Sequence, residues 1–141
     1  MMMIRLILTC LVLIALPFQA MACSCTPDNF TDAASIKHIA AATLIFKGTA
    51  LNAKNAIGAK YFSEVNFQVD TVYKGTETRK TVMAYVDTRT SCGIAPSELK
   101  NKRLFMFYDI KGEYVLAAQC GDYISDADKA ALQRGDYVLN K

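Results

Sequence analysis

The densest chemistry in the chain lies in five consecutive residues, Cys23-Ser24-Cys25-Thr26-Pro27. They directly follow residues 1–22, which read as a secretory signal peptide. Arg5 supplies a positive n-region, residues 6–16 an apolar h-region broken only by Thr9 and Cys10, and Ala20-Met21-Ala22 a small-x-small cleavage site. Cleavage after Ala22 would make Cys23 the first residue of the mature protein. A sulfur held in a disulfide is not a nucleophile, but the α-amine and carbonyl oxygen of an N-terminal Cys23 together form a bidentate chelator, closing a five-membered ring on a metal ion. An ordinary α-amine pKa of about 7.7–8.0 leaves a useful neutral fraction near pH 7. Catalytic zinc is held by three protein ligands and an exchangeable water, and such a donor can take the water's place.

Other chemistries have little material to work with. His38 is the single histidine, which excludes a two-histidine zinc site and leaves little for a histidine-driven hydrolase, so the chain does not read as an enzyme. His38 lies among Ile and Ala and reads as a packed or surface helical residue. Loss of the signal peptide removes Arg5 alone from the charged residues, leaving 15 basic against 13 acidic in 119 residues. The Lys100, Lys102, Arg103 cluster reads as a solvated turn, and no nucleic-acid partner is expected. No apolar run of about 20 residues remains to cross a membrane. The expectation is one domain, 23–141, monomeric, without a cofactor, in the periplasm or outside the cell.

Once Cys10 has left with the signal peptide, four cysteines remain: Cys23, Cys25, Cys92 and Cys120. In a secreted chain an even number implies two disulfides, in one of three pairings. A Cys23–Cys25 bridge would close a strained small ring. Two schemes stay open, each tying both N-terminal cysteines to the distant pair and each holding the chelator rigid.

The elements that must position this segment are mainly β. Strand-like runs cover 43–51, 61–74, 81–87, 103–109 and 114–118. In the second, Val65, Phe67, Val69, Thr71 and Tyr73 share one face and polar residues the other, with Val72 as the exception. Phe105 to Tyr108 are continuously apolar, as in a strand central to the core. Gly58 marks the turn in a short 52–60 loop, Lys74-Gly75 ends the long strand, and Lys111-Gly112 makes a tight turn. A helix over 32–42 with Asp32 as its N-cap precedes the strands, and Ser125 to Asp128 reads as a capping box opening a helix to about Arg134. The pattern predicts a five-stranded antiparallel barrel of the oligonucleotide/oligosaccharide-binding kind, with flanking N- and C-terminal helices.

At this point the sequence resembles a family. The Cys23-Ser24-Cys25-Thr26-Pro27 start after a signal-peptidase site, followed by Val72-Tyr73-Lys74-Gly75, Ser91-Cys92-Gly93 and Cys120-Gly121, is similar to the tissue inhibitors of metalloproteinases and the broader netrin-like domains. The resemblance covers most of 23–121 and implies the same five-stranded barrel. It implies disulfides Cys23–Cys92 and Cys25–Cys120. It implies that Cys23 chelates the zinc of a target metalloprotease and that Ser24 enters the pocket beside that zinc. Cys25, Thr26 and Pro27 would run along the cleft, and Thr90 and Ser91 would add a second contact. The animal inhibitors carry a third disulfide and a C-terminal domain with no counterpart in this sequence, and Asp28 stands where an uncharged residue is usual. Two other readings use the same residues. One is a netrin-like binding module without inhibitory activity. The other is a lipoprotein or thiol-redox protein, against which Ala20 stands where a lipobox normally has Leu.

Overall fold

The structure, a computed structural model, describes residues 24–55, 62–90, 92–117 and 120–135. The expected signal peptide, Cys23, Ser91, Ala118 and the Gly58 turn lie outside the described residues.

The strands are β1 Leu44–Asn55, β2 Phe62–Lys74, β3 Thr81–Asp87, β4 Arg103–Ile110 and β5 Glu113–Leu116, closed into a barrel in the order β1-β2-β3-β5-β4. This is a mainly β, five-stranded barrel of the expected kind, with one correction. β3 and β5 run parallel, paired at Tyr85 and Val115, while the other four seams are antiparallel. Parity requires a parallel seam. Strand direction reverses at every antiparallel seam, and five reversals around a closed ring would bring β1 back opposed to itself.

β1 and β2, with 12 and 13 residues, bend through three bulges. Relative to its partner strand, β2 has an extra residue at Tyr73 and at Asp70, and β1 has one at Leu51. Each bulge shifts the inside–outside alternation by one position. Val65 and Phe67 are therefore buried inside the barrel. Beyond the bulges, Val72 packs into the barrel core, Thr71 is exposed, and Tyr73 packs against the helical layer. The apolar residue that broke the sequence pattern marks this phase change. Beyond the Leu51 bulge, β1 continues paired with β2 to Asn55, further than expected. Its distal part is held by the Asn66–Asn52 side-chain hydrogen bond and the Lys54–Glu64 ion pair.

Two apolar cores share β1 and β4. The barrel interior is built around Phe46, Phe67, Phe105 and Phe107, whose ring centroids lie 4.8 to 6.1 Å apart, mostly edge to face. The second core lies outside the barrel wall, where Ile45 and Met106 meet Ile39, Ala42, Ile124 and Leu132. β4 has apolar residues on both faces because it separates these two cores.

The covering helices are α1 Asp32–Ala41 and α3 Asp126–Arg134, with a single turn, α2 Pro96–Leu99, between β3 and β4. The N-cap of α1 is Thr31, whose hydroxyl accepts from the Ala34 N–H at 3.2 Å; Asp32 sits in the first turn, where its charge suits the helix dipole. At the other end, the Lys74 amine donates to the carbonyls of Ile39 and Ala40, each at 2.8 Å, closing α1 onto β2. Ser125 caps α3, but its own N–H goes to the buried Ser35 hydroxyl on α1 at 3.0 Å, so the capping box is made in one direction only. In the β4–β5 turn both Lys111 (φ 55°) and Gly112 (φ 84°) are left-handed, the geometry of a two-residue hairpin loop. Among the described residues, no helix is long and apolar enough to cross a membrane.

Candidate functional site

The segment Ser24 to Thr26 has no regular secondary structure, and its last residue, Thr26, is extended at φ −73° and ψ 152°. Pro27 then opens a 3-10 turn, Pro27–Phe30, in which the Asn29 N–H donates to the Thr26 carbonyl at 2.9 Å. Proline suits this first position because it has no N–H to leave unsatisfied. Ser24, Thr26, Pro27 and Asp28 are all exposed, and Cys25 is half-buried.

Cys25 is bonded to Cys120, with Cα atoms 5.5 Å apart. Of the two pairing schemes the sequence left open, the structure contains the Cys25–Cys120 half of one. The strap that carries Cys120, residues 120–124, is itself fastened to the barrel. The Tyr108 hydroxyl donates to the Gly121 carbonyl at 3.2 Å, and the Arg103 guanidinium meets the Asp122 carboxylate at 2.6 Å. Burial pushes the Asp122 carboxyl above the ordinary aspartate range, and the charge and hydrogen bond of Arg103 only partly oppose this. Two further contacts reach Tyr123. Its carbonyl lies 3.2 Å from His38 Nδ1, and its ring packs edge-on against Phe30 at 5.5 Å. His38, half-buried on α1, thus packs against this segment.

The second expected contact segment follows β3. Asp87 ends the strand, and its carboxylate organises the loop. Oδ1 accepts from the N–H groups of Arg89 (3.1 Å) and Thr90 (3.0 Å), and Oδ2 from the Thr90 hydroxyl. The Asp87 carbonyl accepts from the Ile94 N–H at 2.9 Å, and the Thr90 carbonyl from the Gly93 N–H at 3.0 Å. Burial works against the Asp87 charge. The hydrogen bonds from Thr90 and Arg89 outweigh it and hold the carboxyl below the ordinary aspartate range. Only glycine fits at position 93, since a Cβ there would stand 2.3 Å from the Asp87 carbonyl oxygen. Cys92 is disulfide-bonded; Cys23, with which the resemblance pairs it, lies outside the described residues.

The expected site residues thus fall into two groups. Cys25, Ser24, Thr26 and Pro27 are fixed through Cys120 to the strap, and Thr90 is fixed through Asp87 to the end of β3. The partners described for Thr90 lie within its own loop. Beside this loop, where β3 and β5 part beyond their single paired position, a cavity of about 240 Å³ is lined by Val86, Asp87, Gly93, Ile94, Leu116 and Ala117 among others. Sequence reading did not single out Asp87. The available signal was the run Asp87-Thr88-Arg89-Thr90, because Asp and Thr directly after a strand commonly bond their own backbone. Among the described residues, no three His, Cys, Asp or Glu side chains are grouped to hold a metal ion. No protein-family model matches the chain, and no curated protein matches it in sequence.

Proposed function

We propose that the protein is a secreted inhibitor of zinc metalloproteases, of the kind its N-terminal sequence resembles. The observation that carries this reading is the Ser24–Thr26 segment, exposed at Ser24 and Thr26 and stapled through Cys25 to a strap that three separate contacts hold to β4 and α1. A segment fixed in advance binds without the cost of ordering it, as substrate-like inhibitors require. In this reading the amine and carbonyl of Cys23 replace the water on the target's zinc, and the Ser24 hydroxyl enters the adjoining pocket. Cys25, Thr26 and Pro27 follow along the cleft, while Thr90 and Ser91 rest on its rim. The zinc belongs to the target, and the inhibitor itself carries no cofactor. The Cys25–Cys120 disulfide is consistent with an oxidising compartment, and export through residues 1–22 would place the protein there.

The test is the mature protein, beginning at Cys23, assayed against a panel of zinc endopeptidases. Inhibition of at least one member is expected. Ser24→Gly should weaken that inhibition while changing stability by no more than about 0.5 kcal/mol, because Ser24 is exposed. A mature protein that inhibits no member of the panel would instead favour a netrin-like binding module.

A further inference from the structure

The loop after β3 is built unlike an ordinary surface connection. Its start is tied to β2 by the Thr88 hydroxyl, 2.8 Å from the hydroxyl of the buried Ser63. Its middle is held by three hydrogen bonds converging on the Asp87 carboxylate, and its end by the Ile94 N–H on the Asp87 carbonyl. Gly93 lies so close to both the carbonyl and the carboxylate of Asp87 that no side chain fits between them. One aspartate therefore makes or borders almost every contact described for this loop, and Thr90 donates two of the three hydrogen bonds that its carboxylate accepts.

We propose that Asp87 is the positioning residue of the second contact segment: it presets Thr90 in the conformation that meets the protease, without touching the protease through its own carboxylate. This rests on the inhibitor reading above. Both carboxylate oxygens are turned into the loop, so Asp87 acts through Thr90. An unorganised loop would have to be ordered at the moment of binding, and presetting it removes that cost.

The test uses the full mature chain with Asp87→Asn and Asp87→Ala. Asparagine keeps one oxygen acceptor and loses the second; alanine loses both. Amide hydrogen exchange at Arg89 and Thr90 is read alongside inhibition of a responsive zinc endopeptidase. Exchange should rise by about tenfold in Asp87→Asn and further in Asp87→Ala, on the scale of one and then several lost hydrogen bonds. Inhibition should weaken in the same order, while exchange in β1 and β4 stays at wild-type values. Asp87→Asn keeps the test decisive if Asp87→Ala does not fold. Unchanged exchange at Thr90, or a loosened loop with undiminished inhibition, would overturn the proposal. A wild-type protein that inhibits nothing would instead overturn the reading it rests on, and loop exchange would still decide whether Asp87 organises the segment.

Discussion

Removing the Cys25–Cys120 disulfide, by replacing both cysteines with alanine, measures how firmly the N-terminal segment is anchored and what Cys92 is bonded to. The bridge joins residues separated by 95 positions. If it were the only cross-link, chain entropy would give it about 4.7 kcal/mol of stabilisation, from a loop of about 95 residues. A Cys23–Cys92 bridge changes the calculation, because the shortest closed path then runs from Cys25 to Cys23, across to Cys92, and on to Cys120. That loop is about 30 residues, and the same relation gives about 3.6 kcal/mol. Urea unfolding of the oxidised wild type and the double variant should show a loss near the smaller figure. The further replacement of Cys92 by alanine in the double variant should cost more than the same replacement in the wild type, because with Cys25–Cys120 gone a Cys23–Cys92 bridge closes a longer loop, of about 69 residues rather than about 30. The slope of the transition should rise in the variant as its unfolded state expands. A loss below about 1 kcal/mol would refute the reasoning, because the strap would then be held by its other contacts alone.

Three further outcomes follow from the same geometry. Phe46→Ala, at the centre of the four-phenylalanine cluster and fully buried, should cost about 3–5 kcal/mol in chemical unfolding, with no new contact to offset the cavity. Gly93→Ala drives a methyl group against the Asp87 carbonyl and should cost about 1–3 kcal/mol, with exchange at Arg89 and Thr90 rising. The hydrogen bonds of Arg79 hold Glu77 at a pKa of about 2, against an ordinary 4.5. A depressed carboxylate pKa contributes stability above the unfolded value and loses it as pH falls through the folded one, so the contribution of this pair should fade between about pH 4.5 and pH 2. Glu77→Gln should flatten that part of a stability–pH curve by no more than about 1 kcal/mol, the range of a surface pair.

The fold was legible where burial follows a simple period. The alternation through Val65, Phe67 and Val69 and the unbroken apolar run from Phe105 to Tyr108 each place their strand correctly, because one or both faces are buried. The parallel β3–β5 seam was not read from any residue, although closing five strands into a ring demands it. Bulges cannot be read from alternation until the phase breaks, so Val72 looked like an exception and Thr71 was assigned to the wrong face. α2 has four residues and no periodicity to detect, and only Pro96 marks it. Local composition could not separate Asp32 from Thr31 as N-cap, since both residue types serve. At the candidate site, the cysteines and exposed N-terminal arm were legible from spacing. Asp87 was not, since its role depends on a loop returning to it at Gly93 and Ile94.

The central claim concerns one atom, the α-amine nitrogen of Cys23. Adding a single alanine before Cys23 turns that amine into an amide, which does not donate a lone pair to zinc at neutral pH, and puts bulk where the metal should sit. The extension lies at the chain terminus, so the disulfides, the circular dichroism spectrum and the thermal midpoint should match those of the native mature protein. The decisive measurement is the inhibition constant of the native and alanine-extended proteins against the same zinc endopeptidase. Inhibition is expected to be abolished by the extension and, in the native protein, to weaken as pH falls below the amine's pKa, where binding must displace a proton. An extended protein that inhibits as tightly as the native one would contradict chelation by Cys23.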